Sequence, residues 1–274
     1  MHLSEEQICE KIKQRHSFAA TIDSGAFSIK IDRYEPMFAA AIHNGSKLRQ
    51  ELEQNCLLSE QERYFEEDPH TGTFISEQAI TLIAHDSRYE YDLNRGPETC
   101  VYESAWGKEV WKTPLTEPQK QASLNKHSQF FRIVSALVTA LLEDFGHCIV
   151  YDTHSYNWRR FEEQRTPVFN LGTTTITDSK WRPVITHWLK QLNNIEVENL
   201  DIDAKENDVF FGKGNLAAHC HNNFDNVAVL ATEFKKVFMD ERDGSPFPDT
   251  IKALQAGYQE AMQSTNAFLL NSSK

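Results

Sequence analysis

Short apolar runs alternate with longer amphipathic segments along this chain. Residues 27–31 alternate as in a half-buried strand, and four continuous apolar runs have the length of buried strands, at residues 37–42, 80–84, 148–151 and 227–231. Apolar positions at helical spacing predict helices over residues 4–15, 46–56, 117–145 and 248–269. Strands alternating with helices indicate an α/β fold, with a mixed, mostly parallel sheet and helices on both faces.

Nothing along the chain marks a boundary between domains. The sequence contains no internal repeat, no low-complexity tract and no linker rich in proline or glycine. We therefore predict a single domain over residues 1–274.

The chain is strongly acidic, with 28 basic and 40 acidic residues and a net charge of −12 at pH 7. The basic residues are scattered, so a phosphate backbone or an anionic membrane surface would be repelled. We predict neither a nucleic-acid partner nor a membrane partner. A small acidic substrate fits this background, because binding it needs only a few local cations.

The start of the chain lacks the pattern of a signal peptide, and no apolar run approaches the roughly 18 residues of a membrane span. The five cysteines are odd in number and include no C-x-x-C pair, which argues against a disulfide framework. These features predict a cytoplasmic protein with reduced thiols.

Three of the predicted strands deliver residues that can bind a metal or move a proton. His43, His154 and Glu233 follow apolar runs, and sites in such sheets lie beyond the carboxyl ends of the strands. Two imidazoles and a carboxylate from the acidic triplet at residues 66–68 would make a three-ligand zinc site. Asp152 lies two residues before His154 on the same strand face, where it can orient the imidazole.

The surrounding motifs resemble those of the zinc carboxypeptidases. The run YDTHSY at residues 151–156 looks like the segment around the third zinc ligand of that family. The run DLNR at residues 92–95 looks like its Asn-Arg pair for the substrate carboxylate, and ATEFK at residues 231–235 resembles the strand with the catalytic glutamate. The three segments also occur in the same order.

More closely, the sequence is similar to the N-formylglutamate amidohydrolase family. The hallmark segments of that family appear as HNG at residues 43–45, EED at 66–68, SRYEYDLNR at 87–95 and DTHS at 152–155. The resemblance covers roughly residues 38–240. It implies a zinc-carboxypeptidase-like fold. It also implies a zinc-dependent amidohydrolase that cleaves an N-formyl-like acyl group from an acidic amino acid, or cleaves a short peptide with a free carboxylate.

The same resemblance implies a metal site and a set of catalytic groups. Zn²⁺ would be held by His43, by His154 and by a carboxylate, for which Asp68 is the first choice. Glu67 and Glu66 are the reserve. The general base would be Glu233, and the groups that bind or polarise the substrate would be Arg88, Asn94, Arg95 and Ser155, with Arg88 also stabilising the tetrahedral intermediate.

Two other functions stay open at this point. Residues 212–217 spell G-x-G-x-x-A after an apolar run, with Glu233 about 20 residues further on, as in a dinucleotide-binding fingerprint. The polar segment 218–226 leaves too little room for the crossover helix, yet a nucleotide-dependent oxidoreductase that uses the Gly212-Gly214 loop is the enzymatic alternative. A non-catalytic small-molecule-binding protein on the same scaffold is the other, because Asn44 replaces the family's usual serine.

One further cluster offers metal-binding atoms. His219, Cys220 and His221 are adjacent in the sequence, and an extended strand would place both imidazoles on one face. We predict a loop or edge feature here in preference to a second metal site.

Overall fold

A nine-stranded mixed sheet forms the centre of the computed structural model, which describes residues 1–161 and 164–272. Two further short strands form a separate hairpin. The strands are β1 (His2–Leu3), β2 (Phe18–Ile22), β3 (Phe27–Ile31), β4 (Met37–Ala41), β5 (Ile80–Ala84), β6 (Ser104–Ala105), β7 (Lys108–Glu109), β8 (Cys148–Tyr156), β9 (Phe169–Gly172), β10 (Ala204–Glu206) and β11 (Val227–Lys235).

Helices connect these strands and cover the sheet. The helices are α1 (Glu5–Lys13), α2 (Gln50–Asn55), α3 (Glu60–Glu66), α4 (Thr71–Ile75), α5 (Glu117–Phe145), α6 (Arg182–Asn193), α7 (Asn215–Asn223) and α8 (Pro248–Ser272), with 3₁₀ turns at Trp158–Phe161 and Ser179–Trp181. No helix in the described parts of the chain is both long and apolar enough to cross a membrane.

The strand order in the sheet is β1-β2-β3-β5-β4-β8-β11-β9-β10. The central strands β5, β4, β8 and β11 are parallel to one another, whereas β3 and β9 pair with them in the antiparallel direction. The predicted mixed, mostly parallel sheet is therefore confirmed. Because the four central strands run the same way, their carboxyl ends meet at one edge, where sites in such sheets lie.

Two hydrophobic cores lie on opposite faces of the sheet. One contains side chains from α1, α5 and α7, and the other contains side chains from α4, α6 and α8. The predicted helices on both faces are thus confirmed. A fully buried aliphatic side chain such as Leu137, with 0% exposure, contributes about 1.5–3 kcal/mol to folding.

The longest helix, α5, has the bounds that the sequence predicts. Thr116 forms a capping box with Gln119, which satisfies free backbone N–H groups at the first turn. Gly146 ends the helix in the left-handed region at φ 75°, where a residue without Cβ avoids strain. Local signals at both ends therefore agree with the apolar spacing between them.

Other predicted elements differ in extent. The segment 46–56 is helical only over α2, and residues around Gly45 and Lys47 instead bridge to the chain after β5. Strand β8 continues five residues beyond its predicted end and strand β11 continues four, through mostly polar residues. These polar residues remain in strands because the two strands pair along their whole length, with Glu233 opposite His154.

The region around residues 212–226 also departs from expectation. His219, Cys220 and His221 lie on helix α7, so the prediction of a loop or edge feature is wrong. The expectation that segment 218–226 leaves too little room for a helix before β11 is also wrong. However, residues 207–214 form no strand. The G-x-G-x-x-A run therefore lacks the strand that a dinucleotide fingerprint requires in front of its helix.

Candidate active site

The candidate site lies at the carboxyl edge of the central parallel strands. His43 comes two residues after β4, while His154 and Glu233 lie near the ends of β8 and β11 as direct neighbours across the sheet. Asp68 follows helix α3, and its backbone N–H donates a 2.9 Å hydrogen bond to the carbonyl of His43. Residues far apart in the sequence are thus brought to one point by strand order.

Three of these residues form a compact group of potential metal ligands. The Nδ1 atoms of His43 and His154 each lie 3.3 Å from Oδ2 of Asp68, and the ligand atoms of the three residues lie within 4.8 Å of one another. Ligands bound about 2.0–2.1 Å from one zinc ion are about 3.3 Å apart in a tetrahedron. Among the described residues, this is the only such group.

A second carboxylate lies behind each imidazole. Oδ1 of Asp92 lies 2.6 Å from Nε2 of His43, and Oδ1 of Asp152 lies 2.9 Å from Nε2 of His154. The contact of His43 with Asp92 is a hydrogen bond, and an Nε2–H directed at this carboxylate leaves the Nδ1 lone pair of His43 free to face inward. The sequence indicated the position of Asp152, whereas the contact between Asp92 and His43 was missed.

The loop that carries Asp68 is fixed from several sides. Lys236 is buried, and its ammonium donates 2.7 Å hydrogen bonds to the carbonyls of Phe65 and Glu67. The side chain of Asn44 accepts a 2.9 Å hydrogen bond from the backbone N–H of Gly72. Gly45 passes so close to the next strand that an added Cβ would lie 2.1 Å from the carbonyl carbon of His85.

Burial and charge together set the ionisation of the group. Burial opposes ionisation of Asp68, but hydrogen bonds from His154 and His43 outweigh it and hold the pKa of Asp68 below its usual range. Burial likewise disfavours the imidazolium of His154, yet the adjacent Asp152 raises its pKa above the ordinary value.

Glu233 is the titratable group beside this cluster. Burial raises the pKa of Glu233 to about 8, although the positive charge of His154 opposes that rise. The side chain is only partly covered and lines the cavity in front of the histidines. A carboxylate with a pKa close to neutral can accept and release a proton during one reaction.

The two predicted arginines are both present at the cavity. The guanidinium of Arg88 donates a 2.9 Å hydrogen bond to Asp92 and a 3.0 Å hydrogen bond to the carbonyl of Glu66. Arg95 is more open: its Nε donates to the hydroxyl of Tyr102 at 3.1 Å, and 52% of its side chain is exposed. Both arginines also lie near Asp92, the carboxylate that contacts His43. They give this edge of the cavity a positive charge.

Asn94 and Ser155 face the same space. Oδ1 of Asn94 is buried and has no hydrogen-bond partner among the described residues. Gly214 packs against this amide so closely that an added Cβ would lie 1.7 Å from the oxygen. The hydroxyl of Ser155 donates a 3.2 Å hydrogen bond to Oδ1 of Asp68, so Ser155 contacts the ligand group as well as the cavity.

The two reserve ligands lie outside the metal-ligand group. Glu66 forms an ion pair with Arg160, and Glu67 accepts a hydrogen bond from Ser87. Burial raises the pKa of Glu67 to about 7. Of the acidic triplet, only Asp68 joins the two histidines.

The histidines on α7 do not form a second cluster. Nε2 of His219 lies 2.8 Å from the hydroxyl of Ser135, and Nε2 of His221 accepts a 3.1 Å hydrogen bond from the backbone N–H of Val229. Each imidazole is therefore engaged in the packing of helix α7 against its neighbours.

The cavity at the site has a volume of about 280 Å³ and adjoins a second space of about 300 Å³ in front of Glu233. Three further lining residues carried no recognisable signal in the sequence: Trp106, Arg160 and Phe161. They come from the turn between β6 and β7 and from the 3₁₀ turn after β8, whose approach to the site is set by tertiary packing.

Two imidazoles and a carboxylate beside a partly buried glutamate, at the carboxyl ends of parallel strands, are typical of metal-dependent hydrolases. A family model described as N-formylglutamate amidohydrolase matches residues 35–239, about three quarters of the chain. The chain belongs to the N-formylglutamate amidohydrolase family, and it is an amidohydrolase that acts on carbon–nitrogen bonds.

Solved structures share the fold. The crystal structure of N-formylglutamate amidohydrolase from Ralstonia eutropha JMP134 superposes with a TM-score of 0.68 at 16% identity, over 88% of this chain and 99% of that one. A gene product from Agrobacterium tumefaciens gives a TM-score of 0.67 at 14% identity, over 89% and 96% of the two chains. Comparison with curated protein sequences found no match.

Proposed function

We propose that this amidohydrolase is zinc-dependent and cleaves the amide bond of an N-acylated acidic amino acid, or of a short peptide with a free carboxylate. The observation that carries the proposal is the convergence of the Nδ1 atoms of His43 and His154 on one oxygen of Asp68. The N-formylglutamate named for the related enzyme supports an acidic amino acid as the leaving group.

The donor set fits a zinc ion. Two inward-facing imidazole nitrogens and one carboxylate are a His₂-carboxylate set, which suits Zn²⁺ and leaves a coordination position open for chemistry. A carboxylate lies behind each imidazole, and the hydrogen bond to Asp92 fixes the orientation of His43, as is usual for metal-binding histidines. When bound, the ion would polarise the substrate carbonyl and lower the pKa of a water molecule.

Glu233 acts as the general base and then as the general acid. It takes a proton from the attacking water and passes that proton to the nitrogen of the leaving amine. Its location beside His154 and its pKa of about 8 support this role. Burial brings the pKa of Glu233 close to neutral pH, so neither proton transfer is strongly unfavourable.

Arg88 and Arg95 bind the negative groups of the substrate. A planar guanidinium makes two charge-assisted hydrogen bonds to one carboxylate. Arg95 is accessible for this contact, with Asn94 beside it, while the mostly covered Arg88 faces the metal-ligand group and stabilises the developing oxyanion. These cations are a local exception in a chain with a net charge of −12. Ser155 completes the wall of the substrate site.

Turnover by the metal-loaded protein tests this proposal. Matched N-acylglutamates and N-acylleucines carrying formyl, acetyl and longer acyl groups should be offered, before and after removal of metal with a chelator. We expect glutamate derivatives to be hydrolysed at least about 10-fold faster than leucine derivatives, with activity lost in chelator and restored by zinc. Absence of metal-dependent hydrolysis across the whole panel would overturn the proposal.

A further inference from the structure

A second large cavity adjoins the candidate active site. It has a volume of about 610 Å³ and shares Glu66, Trp106 and Arg160 with the smaller active-site cavity. A third space of about 640 Å³ lies beyond Arg95. The spaces that adjoin the active-site cavity are therefore much larger than a formyl group, which is comparable with one or two water molecules at ~30 Å³ each.

Trp106 stands where these spaces meet, since it lines all three. It occupies the turn of the β6–β7 hairpin with φ 50°, followed by Gly107 at φ 77°. A turn with two positive φ angles normally has Asn, Asp or Gly at its first position, so a tryptophan there is strained by on the order of 1 kcal/mol. A large aromatic side chain is thus held in an unfavourable backbone conformation at the mouth of the cavity.

The contacts of Trp106 fix the orientation of its ring. The guanidinium of Arg88 lies 4.9 Å from the ring centroid, and the rings of Tyr89 and Tyr102 lie edge-on at 5.8 and 5.7 Å. Even so, 41% of the tryptophan remains exposed. Its open surface faces the cavities and forms a rigid aromatic wall.

The positions of the cations indicate how the substrate is oriented in the site. Arg95 lines the active-site cavity and the space on one side of it, whereas Arg160 lines the active-site cavity and the 610 Å³ cavity on the other. If the carboxylate of the leaving amino acid binds Arg95 and Asn94, the acyl group on the other side of the scissile bond points toward Arg160 and Trp106.

The chemistry of the 610 Å³ cavity favours a neutral occupant. Its apolar lining consists of Leu58, Phe65, Tyr89, Ala105 and Trp106. Two of its three cations are already paired, Lys108 with Glu62 and Arg160 with Glu66. An anionic acyl group would have to compete with these carboxylates, whereas an apolar chain or ring removes apolar surface from water.

We propose that this cavity is the acyl subsite, and that it accepts an apolar acyl group of about six carbons or an aromatic acyl group, with Trp106 as its wall. The proposal rests on the proposed function and names the substrate class for the same site. It predicts that formyl is a poor acyl group for this enzyme, because it leaves the subsite empty.

Acyl preference measured on the zinc-loaded protein tests the subsite. We expect kcat/KM for N-hexanoyl- and N-phenylacetylglutamate to exceed that for N-formylglutamate by at least about 10-fold. Gln61→Trp fills the subsite from helix α3, and Trp106→Gly removes its wall and the strained turn residue. Both variants should reduce the ratio of hexanoyl to formyl kcat/KM by about 10-fold. Glu60→Trp, at the exposed neighbouring position outside the cavity, is the matched control and should keep the wild-type ratio.

The following outcomes would contradict the assignment of this cavity as the acyl subsite. Equal or better hydrolysis of N-formyl- or N-succinylglutamate, or an unchanged ratio in both Gln61→Trp and Trp106→Gly, would overturn the inference while leaving metal-dependent amide hydrolysis in place. If the zinc-loaded protein cleaves none of these glutamate derivatives, the proposed function falls and the acyl subsite with it.

Discussion

Asp92 lies directly behind His43, with its Oδ1 atom 2.6 Å from Nε2 of the imidazole. Asp92 also accepts hydrogen bonds from Arg88 and from the hydroxyl of Tyr102. One buried carboxylate therefore joins His43 to Arg88 and Tyr102. Because such carboxylates orient metal-binding histidines, Asp92→Asn should weaken zinc binding by about 10- to 100-fold.

Competition with a chromophoric chelator measures that change in zinc affinity. Asp86→Asn is the control, since Asp86 is also buried and ion-paired, with Lys126, but does not contact His43. Equal zinc affinity in Asp92→Asn and the wild type would show that Asp92 does not act through the histidine.

Replacement of Glu233 separates proton transfer from metal binding. Glu233→Gln keeps the shape of the side chain and lies outside the three-residue ligand group. It should therefore retain one zinc per chain while kcat falls by about 100- to 10,000-fold. Elemental analysis measures the retained zinc, and steady-state kinetics on the same sample measure the loss of kcat. A wild-type kcat would show that Glu233 is not the general base.

Arg95 provides a test of substrate anchoring. Its guanidinium is half exposed and contacts Tyr102, so Arg95→Ala should leave the metal-ligand group intact. Losing a charge-assisted hydrogen bond should raise KM for an acylglutamate by about 10- to 100-fold with a smaller change in kcat. Arg165→Ala, which removes an exposed arginine paired with Asp201, is the control. Equal KM values in the two variants would contradict the assignment.

The raised pKa of Glu233 predicts a pH-dependent stability of the metal-free protein. The folded state holds a proton on this carboxyl up to about pH 8, whereas the unfolded chain loses it near pH 4.5. The folded state therefore binds more protons between these values, so this group costs stability as the pH rises through that window. Denaturant unfolding of metal-free Glu233→Gln should show a stability gain over the wild type that grows by up to about 1.4 kcal/mol per pH unit from pH 5 to 8. A pH-independent difference would contradict the shift.

The sequence predicts most of the central fold because local and global signals agree there. Thr116 and Gly146 mark the ends of α5, and the apolar runs of β4, β5, β8 and β11 appear where expected. Strand ends are less predictable at the site. Residues 152–156 and 232–235 are polar or mixed, and pairing of β8 with β11 and of β11 with β9 keeps them in strands.

Helix α7 and the hairpin at Trp106 illustrate what a sequence pattern misses. Asn222 and Asn223 are weak helix formers, yet packing of Leu216 and Cys220 into the core holds α7 in place. Trp106 in a turn requires positive φ, which sequence preferences disfavour. Likewise, the approach of Asp92 to His43 depends on how two separate loops fold back against each other, and no spacing encodes it.

Zinc content tests the central claim most directly. Elemental analysis of protein purified without chelator and dialysed against zinc should give one tightly bound ion per chain. His43→Ala, Asp68→Ala and His154→Ala should each reduce it to a small fraction, while the exposed His16→Ala keeps it. Zinc that is absent from the wild type, or retained in all three ligand variants, would contradict the account.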